Sequence, residues 1–312
     1  MRFVFLFFIF SSLAAVAADR PTIGGKLFGN AYLPTHNFKQ HQNQQALLGL
    51  LLKSEMRLTE NTNTRADLLI NAMPGHNLRN DSILTEVRTD YFLEIREAYI
   101  NFNKDDVQLK IGALMLPWGK SDGINPTDYL TAKNFTILNS DDEMRRRSAW
   151  GSEFQFIPNA GTSPWNFTVI ALPVTARTAL LLPKDMIPAG VAIAKVNPQS
   201  FTLNNTEYAG KISYNGEGWD GSLSIFSGLE HLPSFVEISR QLNALGAVEL
   251  VFAPTFAKVK KIGGDFSISS SNYVFRLENA YTKTENSEGR FPAILPDHYD
   301  AVVGAERPLF AD

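Results

Sequence analysis

Residues 96–130 hold two alternating strands joined by a turn and then one long irregular excursion, an order that limits what this chain can fold into more than any other feature. Val107, Leu109 and Ile111 fall on one face while Asp106, Gln108 and Lys110 fall on the other, a period of two that only an extended strand produces. Asn103, Lys104 and Asp105 supply the turn before it. The same pattern marks strands over residues 23–33, 47–58, 65–72, 91–102, 107–114, 150–157, 166–172, 207–215, 219–227, 247–259, 262–269, 273–282 and 299–306. No comparable series of amphipathic helices interrupts them, and several reach the ~9–11 residues that a tilted strand needs to cross a bilayer.

The faces sort by polarity. Tyr273, Phe275, Leu277 and Tyr281 oppose Arg276, Glu278 and Thr282, and Tyr208, Ile212 and Tyr214 oppose Glu207, Lys211 and Ser213. Aromatic residues gather near strand ends, where barrels carry their interfacial girdles. A soluble sandwich with one wet face also alternates, but strand length, aromatic placement and an export signal together favour a transmembrane barrel. One strand breaks parity: Leu93 and Ile95 share a face with Glu97 and Asn101, so the polarity switches near Arg96. A β-bulge there restores the pattern by one residue; without it Glu94 and Arg96 point into lipid.

The chain opens with Met1 and Arg2, an apolar core over residues 3–10, and the small residues Ala15, Ala17 and Ala18 ahead of Asp19. This reads as a signal peptide over residues 1–18, with residues 19–312 as the barrel domain. Beyond it the longest apolar run covers residues 46–52, far short of the ~20 a membrane-spanning helix requires. With no cysteine there is no disulfide framework, and a net charge of -3 gives no basis for nucleic-acid binding. The odd number of predicted strands, and an ending at Phe310, Ala311 and Asp312 rather than on a terminal aromatic strand, lead to the expectation of a C-terminally incomplete chain. An all-β antiparallel transmembrane β-barrel of roughly 14–16 strands when complete is the expected fold.

Connections differ in length, short at 216–218 and 270–272 and long at 73–90, 117–149 and 173–206. In the 117–149 excursion Asn125, Pro126 and Asp128 read as a helix start, and Ser140 with Glu143 as a second capping box. Asp141 and Asp142 then precede Arg145, Arg146 and Arg147, matching a helix dipole at both ends. A capped surface helix accounts for these residues; so does an inward-folded loop that lines and narrows a pore, with Trp118, Lys120, Asp122, Asn125, Asp128, Asp141, Asp142 and the three arginines at the constriction.

The string from Arg96-Glu97-Ala98-Tyr99 through Ile111-Gly112 to Trp118-Gly119-Lys120-Ser121-Asp122-Gly123-Ile124-Asn125-Pro126-Thr127-Asp128 resembles a group of porin-like outer-membrane β-barrel proteins of Gram-negative bacteria, and is loosely similar to the alginate-export barrels. The resemblance implies an outer-membrane barrel in contact with outer-membrane lipid, and brings no substrate or catalytic residue with it.

His36, His41, His76, His231 and His298 are scattered, with no pair at metal-ligand spacing, and no nucleophile–base pairing or phosphate-cradling loop occurs, so neither an enzyme nor a metal or cofactor site is expected. Asp122, Asn125 and Asp128 lack the EF-hand spacing for calcium and suit a turn. Expected on the lumen side are Glu97, Lys110, Glu153, Lys211, Arg276 and Glu278, a set of mixed sign that favours neither cations nor anions. These readings converge on a porin-like channel passing small polar solutes or an exported polymer. A non-conducting structural or binding barrel that contacts polysaccharide or other envelope proteins is the alternative.

Overall fold

The computed structural model describes residues 20–32, 45–72, 91–121, 124–136, 141–159, 162–180, 187–194, 205–242, 246, 248–270 and 272–307. The expected signal peptide, the 73–90 connection, Asp122, Ser140 and the last five residues lie outside them, as do His36, His41 and His76. In chain order the elements are β1 (Thr22–Tyr32), β2 (Gln45–Thr59), β3 (Thr62–Ala72), β4 (Tyr91–Lys104), β5 (Val107–Leu114), β6 (Ala132–Lys133), α1 (Asp142–Arg145), β7 (Arg146–Arg147), β8 (Ala149–Phe156), β9 (Trp165–Val174), β10 (Val191–Ile193), β11 (Glu207–Asn215), β12 (Trp219–Leu229), β13 (Ser234–Leu242), β14 (Val248–Thr255), β15 (Lys258–Ser270), β16 (Tyr273–Thr284) and β17 (His298–Glu306).

Twelve strands form one sheet in the order β1-β2-β3-β4-β5-β8-β9-β11-β12-β15-β16-β17, a meander in which every neighbouring pair is antiparallel. Between the edge strands β1 and β17 every wall strand has an antiparallel neighbour on both sides, which is how a wall meets its backbone hydrogen-bonding needs in hydrocarbon. Tight connections such as 105–106 and 216–218 lie at one rim, and the strand ends that the long connections join lie at the other.

The two faces differ as the alternation requires. Outward lie Ile100, Val169, Ile212, Leu223, Ile225 and Ile262, all exposed; inward lie Asp67, Asn101, Glu153, Thr168, Asp265 and Glu278, all buried. At the short-turn rim Trp165, Tyr214, Trp219 and Phe266 form a run of ring contacts, with centroids 5.0, 4.3 and 5.9 Å apart. Toward the other rim Tyr208, Tyr281 and Tyr299 are outward and exposed. An apolar band between two aromatic belts is the surface a bilayer selects, so the sheet is the wall of a transmembrane β-barrel.

The parity break in β4 is resolved as the sequence requires. Asp67 pairs with Glu97 and Leu68 with Ile95, so Arg96 is the extra residue of a bulge. Leu93 stays exposed outward while Arg96 is buried, and Glu94 reaches Arg147 at 3.8 Å. The bulge thus carries both charges to the inner side of the wall.

The expected strand over 247–259 is corrected. Its first part is β14, which belongs to a separate three-stranded sheet ordered β10-β14-β13, and its last residues begin β15 after a break at Phe256 and Ala257. The strand β13, not expected from sequence, continues the β12 excursion past Pro233 and pairs antiparallel with β14.

Leu223 lies near the middle of β12 and is 71 % exposed on the outer face. Leu223→Arg is expected to destabilise the barrel by about 2–4 kcal/mol in urea unfolding from lipid vesicles, the cost of a lipid-facing arginine near the midplane. A change below about 0.5 kcal/mol, typical of a surface facing water, would contradict a lipid-facing wall.

Candidate functional site

The chain leaving β5 turns into the barrel instead of away from it. Leu114, Leu116, Trp118, Tyr129 and Leu130 are buried, and they cluster with the inward residues Ile170, Ala209, Phe226 and Ala280 of four wall strands. The first half of the excursion thus packs on the inner face of the wall, while residues 142–145 of its second half form a capped helical turn.

The Trp-Gly-Lys and Asn-Pro-Thr-Asp portions of the motif fold the loop upon itself. Trp118 N–H donates to Asp128 Oδ1 at 3.3 Å, and Asn125 Nδ2 donates back to Trp118 O at 2.9 Å. Gly119 has φ +85°, and a Cβ there would fall 1.9 Å from Asn125 Oδ1, so glycine is required twice over. The expected helix start at Asn125 is therefore corrected to a turn, closed by Asp128 N–H donating to Asn125 O at 3.2 Å. The Asn125 side chain is engaged with Trp118 and is not free to cap.

The tip is fastened to the opposite wall. Glu278 on β16 is fully buried, and its Oε1 accepts from the amides of Lys120 and Ser121 while Oε2 accepts from Thr127 Oγ1 at 3.0 Å. Lys120 Nζ pairs with Asp220 on β12 and lies 3.1 Å from Asp265 on β15. Tyr129 packs where β15 has no side chain: a Cβ on Gly263 would lie 2.1 Å from its hydroxyl.

The returning half is held by arginines and by Asp142. Helix α1 is a single turn capped by Asp141, whose side chain accepts from Glu143 N–H at 3.0 Å; this replaces the expected Ser140 cap. Asp142 receives Lys133 and Arg145 at 3.0 Å and Arg146 at 3.6 Å. Burial raises the Asp142 carboxyl, but these three cations outweigh it and leave the group below its ordinary range. The stability Asp142 gives this clamp is present above its ordinary value and is lost only as pH falls through the lowered one. Asp128 moves the opposite way, raised chiefly by burial against the opposing pull of Thr131, Arg146 and the Trp118 amide. Arg147 donates to Arg177 O at 2.8 Å, and Arg96 from the bulge donates to the carbonyls of Glu143, Met144 and Arg146 at 2.6, 3.1 and 2.8 Å.

The inward charges are paired. Lys110 meets Glu153 at 3.0 Å, Glu97 meets Arg65 at 3.0 Å, Arg276 meets Glu306, and Lys211 lies 4.9 Å above the Trp118 ring. Two polar cavities flank the loop. One of about 310 Å³ is lined by Trp118, Lys120, Glu153, Asn166, Lys211 and Asp265, and one of about 380 Å³ by Lys26, Lys53, Arg65, Arg96, Glu97 and Glu143. Sequence reasoning missed Asp220, Thr127 and Tyr129 as loop contacts, and reached Arg96 only through the parity break. It also missed the cluster at Glu207, which receives Arg177 at 2.8 Å and His231 at 2.9 Å. Among the described residues no group of three or more His, Asp or Glu side chains is arranged to hold a metal ion.

No protein-family model and no curated protein matches the chain. Solved structures do. OccK9 (OpdG) of Pseudomonas aeruginosa is 10 % identical with a TM-score of 0.40, over 84 % of this chain and 67 % of that one. A BenF-like porin from Pseudomonas fluorescens Pf-5 is 9 % identical with a TM-score of 0.43, over 85 % and 68 %, and OccAB3 of Acinetobacter baumannii is 13 % identical with a TM-score of 0.39, over 85 % and 66 %.

Glu278→Ala leaves three donors without their acceptor, at about 1–3 kcal/mol for each one left unsatisfied. Trypsin is expected to cut the folded variant at Lys120 or Lys133 several-fold faster than the native chain. Equal resistance would mean that the loop is held without Glu278.

Proposed function

We propose that the protein is a porin-like channel of a Gram-negative outer membrane, through which small polar solutes or an exported polymer pass without energy input, with the infolded loop as the constriction. The observation that carries this reading is the polarity of the interior: charged cavities on both sides of a loop that crosses from β5 to β16, inside a wall whose outer face is apolar. On this reading the solute path runs through the two cavities, one lined by Lys120, Lys211 and Glu153 and the other by Arg65, Arg96 and Glu97. Selectivity in a channel of this kind comes from passage width and lining charge. Each cavity lining balances in formal sign, with Lys26, Lys53, Arg65 and Arg96 against Asp67, Glu97, Asp141 and Glu143 in one and Lys120 and Lys211 against Glu153 and Asp265 in the other.

The alternative, a non-conducting structural or binding barrel that contacts polysaccharide or other envelope proteins, draws support from the apolar cluster of Leu116, Trp118, Tyr129 and Leu130, which occupies part of the interior. Conductance separates the two. The detergent-extracted chain in a planar bilayer is expected to give stable ohmic steps, and replacing Arg145, Arg146 and Arg147 together by glutamine is expected to shift its preference toward cations. Inserted but silent protein would favour the binding barrel, and unchanged selectivity in the triple variant would put those arginines outside the path.

A further inference from the structure

The outer face carries a second feature, unrelated to the interior. The residues Ile225, Ile262, Tyr281 and Tyr299 form one cross-strand row at the edge of the apolar band. One pleat closer to the long-loop rim, the next row on the same face is Tyr208, Ser227, Lys260 and Lys283. Lys258 follows two residues from Lys260 on β15, so it projects to the same side. All three lysines are exposed, and among the described residues none is in an ion pair. Lys260 and Lys283 are direct cross-strand partners, a placement of like charges that destabilises a sheet when nothing lies between them.

The surroundings are built for an oxyanion. A cavity of about 330 Å³ opens among Thr206, Ser227, Lys258, Lys260, Lys283 and Glu285. Thr206 Oγ1 is buried there without a hydrogen-bond partner. Glu285 is the carboxylate of the lining, and Asp297 lies close enough to Lys283 to feel its charge, as the weakest influence on it. Three ammonium groups against that one lining carboxylate leave the pocket electropositive. Its position, immediately beyond the tyrosine row, is the depth of lipid headgroups in a wall of this kind.

We infer that Lys258, Lys260 and Lys283 bind the phosphate of a lipid headgroup, whose acyl chains lie along Ile225 and Ile262 below. The site rests on the wall spanning a bilayer and not on conduction, so a silent barrel leaves it standing. Free phosphate shares the chemistry but lacks the chains that the adjoining apolar rows would hold.

The test is native mass spectrometry of the full chain in detergent micelles containing phosphatidic acid, with phosphatidylcholine and inorganic phosphate as the other probes. Folding of each variant is checked by its heat-modified gel mobility. The native chain is expected to retain phosphatidic acid over phosphatidylcholine, and inorganic phosphate at equal concentration is expected not to displace it. Affinity should fall about fivefold in Lys260→Gln, the contribution of one near-surface lysine to an anionic lipid surface, and on the order of a hundredfold in the triple glutamine variant. Where the triple variant fails to fold, the single one decides. Unchanged retention in a folded variant would leave only a solvated lysine patch, and displacement by inorganic phosphate would make it a free-anion site; either overturns the inference.

Discussion

A backbone amide or carbonyl without a partner in hydrocarbon is too costly to tolerate, and the rest of this molecule follows from how the chain avoids that cost. Pairing each wall strand with the next wall strand along the chain fixes an antiparallel meander. Antiparallel strands send alternate side chains to opposite faces, so lipid on one side obliges apolar residues there and releases the other face for charge. That free face then needs its own compensation, and the inward carboxylates and cations supply it in pairs such as Lys110 with Glu153 and Arg65 with Asp67.

The loop after β5 solves the same problem in a different way. Apart from the two-residue pairing of β6 with β7, its backbone lies inside the barrel without a strand beside it, so its amides need acceptors from elsewhere. Glu278 provides one for Lys120 and Ser121, and the Arg96 guanidinium provides donors for the carbonyls around α1. Both anchors are wall residues placed by the ladder. The bulge at Arg96 is thus more than a parity correction: it turns a side chain that would face lipid into the clasp that holds the returning half of the loop.

Much of the wall was legible because its signal is local. A period of two in Tyr273, Phe275, Leu277 and Tyr281 needs no knowledge of partners, and the polarity switch at Arg96 is visible within a few residues. The strand β13 was hidden because Arg240 interrupts the alternation of Val236, Ile238 and Leu242, and both of its sides are exposed from Glu237 onward. The run into β15 was misread because Phe256 and Ala257 continue the apolar pattern across the break. Asn125 was misread for the opposite reason: a capping rule is local, whereas its side chain answers to Trp118 and Gly119. Nothing near Glu278 in sequence announces the amides it accepts from, which come from the far side of the barrel.

The central claim is that the loop lies within the barrel against β12 and β16. The chain has no cysteine, so Ser121→Cys with Ser222→Cys gives a clean pair for a short homobifunctional thiol cross-linker in intact membranes. An intramolecular cross-link between loop and wall is the result this account predicts. Failure of the folded double variant to link would place the loop away from β12 and contradict it.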